Sequence, residues 1–208
     1  PNPRVVRMFM IEKGIDLPQE ELDLLGGENR GEAYVKKNPG GQMPSLELDD
    51  GTVIAETVAI CEYLEERHPE PALFGATAEE RANTRQWIRR VELNITEHMY
   101  NGFRYAEGID IFRDRLFVIP EAADGLKAKA AEARKWLDGL IAGRDFIAGD
   151  NITMADLILY GCLDFAKDVG QPLDTDLDNL AAWFARIDGR PSATASLHPG
   201  AGEVNMRG

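Results

Sequence analysis

Apolar residues recur along this chain in two rhythms. Val5, Val6, Met8, Phe9 and Met10 fall on one face of residues 4–13, and Gly14 follows the basic Lys13. That is the spacing of an amphipathic helix with a C-terminal stop. Pro3 suits a first helical position, where its missing N–H leaves nothing unpaired. Glu21, Leu22, Asp23 and Leu24 alternate, which predicts a strand, and GGENRGE at 26–32 reads as a loop. Residues 32–37 predict a short helix that ends at Asn38-Pro39, because the residue before a proline is pushed out of the α region. Residues 44–48 and 52–55 predict a hairpin turning at Asp49-Asp50-Gly51. A helix follows over about 56–68, with Ile60, Cys61 and Leu64 on one face, until His68-Pro69-Glu70-Pro71 breaks it.

After Gly75 every long segment is helical in period. Ile88, Val91, Ile95 and Met99 mark 79–99. Leu126, Ala130, Ala133, Leu137, Leu140 and Ile141 mark 120–141. Ile158, Gly161, Cys162 and Phe165 mark 153–167, and 177–187 is a shorter amphipathic helix. The change of rhythm predicts two domains, an α/β unit at 1–70 and an all-helical unit at 77–208, with residues 70–77 as linker. Thr153-Met154-Ala155-Asp156 is a capping-box variant, a folding signal worth about 1 kcal/mol. The Gly-rich tail at 199–208 is expected to be loosely held.

Charge narrows the function. The 208 residues carry a formal net charge of -13, which argues against non-specific binding to nucleic acid or to an anionic membrane. The two cysteines, Cys61 and Cys162, lie inside apolar runs, outside any CxxC or Cys/His cluster. They read as buried, unpaired thiols of a reducing compartment. Neither a disulfide framework nor a metal site is indicated, since His68, His98 and His198 stand apart without ligand spacing. No apolar run approaches the roughly 18 residues of a membrane span, and no signal peptide is recognisable.

The candidate chemistry lies in NPGGQMPSLELDDGTVIAETVAICEYL, residues 38–64. A proline in a sheet belongs at an edge, a bulge or a strand start, so Pro44 marks one of these. A cis Met43–Pro44 bond would turn the backbone of Met43 outward, where a peptide ligand can add like one more strand. Glu56 and Thr57 stand at a helix N-terminus, whose free N–H groups and dipole favour an anion. Thr57 adds a hydroxyl for a ligand carboxylate, and Glu56 a negative charge for a ligand ammonium. The pair suits an α-amino-acid head group; the alternative is a plain N-cap with an acidic first turn.

Asn38-Pro39-Gly40-Gly41-Gln42-Met43-Pro44-Ser45-Leu46, followed by Glu56-Thr57-Val58-Ala59-Ile60, resembles the glutathione-site signature of the cytosolic glutathione S-transferases, with Met for Val and Thr for Ser. Residues 4–14 resemble the family's first helix, 149–156 the cap of its core helix, and Gly189-Arg190-Pro191-Ser192 its closing motif. The resemblance implies an α+β two-domain fold. A thioredoxin-like domain, its first strand expected ahead of Pro1 and missing from this sequence, precedes an all-α helical bundle. It implies a cis-proline at Pro44, pairing of the Met43 backbone with the cysteinyl part of glutathione, and a γ-glutamyl head group held by Glu56 and Thr57. Gln42 is within reach of the ligand with its amide.

The family's Tyr, Ser or Cys that assists the glutathione sulfur is expected at or before Pro1. Asn2 is the candidate catalytic residue within the chain; it serves either as a donor to the thiolate or as a cap of the first helix. His98, Met99, Tyr100, Phe103, Arg104 and Tyr105 either line an electrophile pocket or belong to core and dimer surface. The implied activity is attack of the glutathione thiol on a small hydrophobic electrophile, with glutathione as co-substrate and no metal, in a cytoplasmic, homodimeric detoxification enzyme. Two other readings stand beside it: a non-catalytic interaction module on the same fold, and a Cys-type glutathione-dependent thiol reductase.

Overall fold

Residues 1–200 of the chain are described by a computed structural model. The expected loose tail, from residue 201 on, lies outside them. The first helix, α1, spans Asn2–Lys13 and starts earlier than the apolar period alone suggests, because the carbonyl of Pro1 already accepts the N–H of Val5 at 3.1 Å. Gly14 ends it in the left-handed region at φ 66°, where glycine has no Cβ to clash.

The alternating stretch at 21–24 does not form a strand. Asp23 instead closes a turn, its carboxylate accepting the N–H of Gly26 at 2.7 Å and its carbonyl that of Glu28 at 2.9 Å. Leu24 and Leu25 are exposed. An alternating pattern becomes a strand only where a neighbouring backbone takes its hydrogen bonds, and the described sheet has two strands, both further along the chain.

Helix α2 spans Glu32–Lys37 as the pattern predicts. Strands β1, Ser45–Glu47, and β2, Val53–Ala55, pair antiparallel with Leu46 opposite Ile54. Gly51, at φ 82°, supplies the turn between them. Helix α3 spans Thr57–Arg67 and buries Ile60, Cys61 and Leu64.

The helical portion opens with α4, Ala78–Val91, which runs through a π turn at Glu92–Thr96 into α5, Glu97–Arg104. Short α6, Ile109–Phe112, and long α7, Ala123–Leu140, follow. Helix α8, Met154–Asp168, is buried along almost its whole length and forms the axis of the bundle. Helices α9, Asp178–Asp188, and α10, Pro191–Ala195, complete it. The capping box at the start of α8 forms. Asp156 accepts from the N–H groups of Thr153 and Ile147 and from Trp183 Nε1, each at 2.8 Å, so one carboxylate ties three segments together.

Helix α1 lies directly on α8. A Cβ at Gly161 would approach Val5 to 2.6 Å, so only glycine permits that contact. One core runs through both portions, from Phe9 and Ile60 to Trp183 and Ile187. Charged groups are buried at the contact as well: Arg4 pairs with Asp164 and donates to the carbonyl of Ala193 at 2.8 Å. Among the described residues no helix is long and apolar enough to cross a membrane.

Candidate active site

The loop at 38–44 is shaped from behind. Asn38 ends α2, donates from Nδ2 to the Gln42 carbonyl at 2.7 Å, and accepts the N–H of Gly40 at 3.1 Å. Tyr34, one helical turn earlier, donates its hydroxyl to the same carbonyl at 2.7 Å. Buried Asn29 donates to the carbonyl of Gly41 at 2.6 Å. Gly41 itself sits at φ 56°, and a Cβ there would meet Arg30 at 3.0 Å. Carbonyls drawn inward by these donors leave the other side of the loop open.

Met43–Pro44 is a cis peptide bond, and β1 begins at the next residue. Glu56, which the sequence pattern places at a helix start, is the N-cap of α3. Its φ of 72° makes it the single non-glycine residue with positive φ among the described residues. Such a conformation costs on the order of 1–3 kcal/mol and tends to occur where function requires it. The Glu56 side chain is exposed and caps nothing. Thr57 is the first residue of α3, where unpaired N–H groups face outward.

These residues converge. Asn2, Asn38, Gln42, Met43, Pro44, Glu56 and Thr57 line one cleft. All six residues singled out in the sequence stand there together. The cleft encloses about 20 Å³ of free space, about the room of one ordered water, too little to enclose a peptide-sized ligand. Asn2 is the first residue of α1 and its side chain makes no capping bond, which leaves its amide available to the cleft. The pattern did not single out Asn29, Arg30 or Tyr34. The spacing of Tyr34 to Asn38 was a usable signal, since residues four apart share a helix face; Asn29 has no local signal.

A second group stands at the end of α5. Phe103 meets Phe165 at 5.1 Å and Phe112 at 6.0 Å, edge to face, and Tyr100 meets Phe165 at 6.3 Å. Met99 and Phe103 are buried, so they belong to core; Tyr100, Arg104 and Tyr105 are half-buried. Burial pushes the Tyr100 phenol well above its ordinary range. Both cysteines are buried and unpaired. Burial drives the Cys162 thiol up to about 12 and Cys61 higher still, so neither is a nucleophile. Among the described residues no group of His, Cys, Asp or Glu is placed to hold a metal ion.

Comparison with known proteins agrees with the geometry. The family described as Glutathione S-transferase, N-terminal domain, matches residues 1–67, and Glutathione S-transferase, C-terminal domain, matches residues 120–186. The chain is 32% identical to a maleylacetoacetate isomerase of Pseudomonas aeruginosa, over 93% of the chain and 86% of that protein. It is 29% identical to glutathione S-transferase 2 of Saccharomyces cerevisiae, over 95% of the chain and 85% of that protein. A crystal structure of a glutathione S-transferase domain-containing protein from Marinobacter aquaeolei superposes with a TM-score of 0.87 at 36% identity, covering 92% of this chain and 95% of that one.

Proposed function

The chain belongs to the glutathione S-transferase family, and we propose that it binds glutathione along the cleft and delivers its sulfur to a small hydrophobic electrophile. The observation that carries this reading is the convergence of Asn2, Gln42, Met43, Pro44, Glu56 and Thr57 on one cleft. The backbone of Met43 pairs with the cysteinyl residue of glutathione as an added strand would. Thr57 and the first N–H groups of α3 take the γ-glutamyl carboxylate, and the Glu56 carboxylate takes its ammonium. The amide of Gln42 adds a further polar contact to the ligand.

Asn2 donates to the sulfur. A free thiol titrates near 8.5. Lowering it by about two units requires roughly 2.7 kcal/mol of preference for the thiolate, within the range of one or two well-aimed hydrogen bonds to an anion. Attack then forms an S–C bond at the electrophilic carbon while that carbon's bond to its leaving group breaks and the leaving group departs with the electron pair; the thiol proton leaves to water. The reading extends to a homodimeric detoxification enzyme of the cytoplasm that works without a metal, built as a thioredoxin-like unit at 1–70 and a helical unit at 77–208. Cys61 and Cys162, buried as protonated thiols, serve no Cys-type thiol reduction at this cleft.

Calorimetric titration with glutathione tests the reading, with Glu56→Ala as control. Saturable binding that the variant loses supports it. Absence of binding to the folded wild-type protein overturns it and leaves an interaction module on a transferase fold.

A further inference from the structure

The helical wall beside the cleft holds a cation that nothing in the proposed chemistry uses. Pro1 and Val5, at the start of α1, rest on Gly161 of α8. Phe165 is four residues further along α8, hence on the same face, one turn away. Phe165 packs on Tyr100 and Phe103, and Arg104 follows on α5. Its guanidinium carbon stands 5.9 Å from the Tyr100 ring centroid and 5.8 Å from that of Phe112. The start of α1, where Asn2 enters the cleft, and the ring cluster beside Arg104 therefore share one face of α8, about one turn apart.

Arg4, Arg7 and Arg104 differ in what they are committed to. Arg4 is buried in its pair with Asp164, and Arg7 donates to the carbonyl of Ser196 at 2.8 Å. Arg104 has no carboxylate partner among the described residues; its one hydrogen bond there is from Nη1 to Asn101 Oδ1 at 3.1 Å. The acids nearest to it in sequence are engaged elsewhere. Glu97 accepts from Asn101 at 2.7 Å, and Glu107 pairs with Lys127. A guanidinium carries five N–H donors in a planar fork that matches a carboxylate. The chain as a whole carries -13 and repels anions at long range, so an anionic substrate needs a local cation of this kind.

We propose that Arg104 sets the choice of second substrate, selecting flat, electron-poor electrophiles that carry a carboxylate: the guanidinium takes the carboxylate while the neighbouring aromatic rings take the flat body. This rests on the transferase reading and deepens it. With 4-chloro-3,5-dinitrobenzoate as probe, the glutathione sulfur attacks the ring carbon that bears chlorine. The S–C bond forms, the C–Cl bond breaks, chloride leaves with the electron pair, and the thiol proton passes to water.

The test compares kcat/KM for 4-chloro-3,5-dinitrobenzoate with that for its methyl ester, in wild type, Arg104→Gln and Arg104→Lys. The carboxylate-to-ester ratio is expected to fall about tenfold in Arg104→Gln, the scale of one hydrogen bond to a charged group. Arg104→Lys is expected to keep part of the preference, and added salt to erode it in wild type. A second measurement needs no turnover: calorimetric titration of 3,5-dinitrobenzoate and its methyl ester, which lack a leaving group. Wild type is expected to bind the acid more tightly than the ester, and Arg104→Gln to lose that preference. Equal losses for acid and ester, or an unchanged ratio, overturn the proposal and reduce Arg104 to a packing residue. If wild type turns over neither chloride and does not bind glutathione, the transferase reading fails, and the dinitrobenzoate titration still decides the role of Arg104.

Discussion

Helix α1 touches two polar regions that treat their charges in opposite ways. Along the sides that pack against the bundle and against α3 the groups are matched. Arg4, about 1% exposed, meets Asp164, Tyr160, Ser196 and the carbonyl of Ala193. Glu12 takes a two-pronged contact from Arg190, both bonds at 2.7 Å, and accepts from Ser192. Lys13 donates to Glu65 and to the carbonyl of Pro71, both at 2.6 Å. At the start of the same helix, Asn2, Gln42, Glu56 and Thr57 gather on one cleft. Among the described residues none of their side chains has a hydrogen-bond partner in the protein. Polar groups that hold a fold together are satisfied within it; polar groups that await a ligand are not.

The contrast predicts that the two regions fail differently. The largest effect belongs to the bundle side. Arg4→Ala takes from Asp164 the buried one of its cationic partners, Lys167 remaining, and removing one member of such a buried pair costs up to about 3–5 kcal/mol. Urea unfolding is expected to register that loss as a lower midpoint. The double variant Arg4→Met, Asp164→Leu should recover much of it, because a buried pair replaced by apolar residues of similar volume is often neutral. A single variant as stable as wild type would remove the distinction between the regions.

The cleft behaves in reverse. Glu56→Ala is expected to weaken glutathione binding by tenfold or more, the loss of a charged hydrogen-bonding partner, while the unfolding midpoint scarcely moves. Glu56→Gly sharpens the comparison. Glycine adopts φ 72° without a Cβ penalty, so this variant should be more stable than Glu56→Ala by about 1 kcal/mol, yet bind glutathione equally poorly. If both variants bind as well as wild type, the strained residue has no part in the ligand site.

The sequence revealed the two regions unequally. The cleft residues sit within twenty residues of one another except Asn2, and proline, glycine and helix-start chemistry made them legible locally. The hairpin, α2 and the capped α8 were legible for the same reason: each is decided by turn, cap or period. The bundle-side clamps were not. Arg4 meets Asp164 across 160 positions and Arg190 meets Glu12 across 178, and no local pattern distinguishes a buried arginine from an exposed one. The strand expected at 21–24 failed because a strand depends on its neighbour. The side chains that shape the site loop, Asn29 and Arg30, act through backbone carbonyls more than ten residues away or nearly so.

The smallest effect probes the bundle side through pH. Burial tends to raise the Glu12 carboxyl, but hydrogen bonds from Arg190 and Ser192 outweigh it and hold the group below its ordinary range. Asp164 is likewise lowered, with burial opposed by Lys167 and Arg4. A carboxyl depressed in the folded state adds stability above its unfolded pKa, about 4, and that stability is lost as pH falls through the folded value. Ser192→Ala removes one of the bonds that lower Glu12 and is expected to cost about 1 kcal/mol at neutral pH. Once Glu12 is protonated its oxygen is a weaker acceptor, so the gap between Ser192→Ala and wild type should narrow as unfolding is measured from pH 7 down toward pH 3. A gap of constant size across that range would mean that Ser192 contributes by packing alone and that the charge on Glu12 is not what fastens α1 to the closing helix.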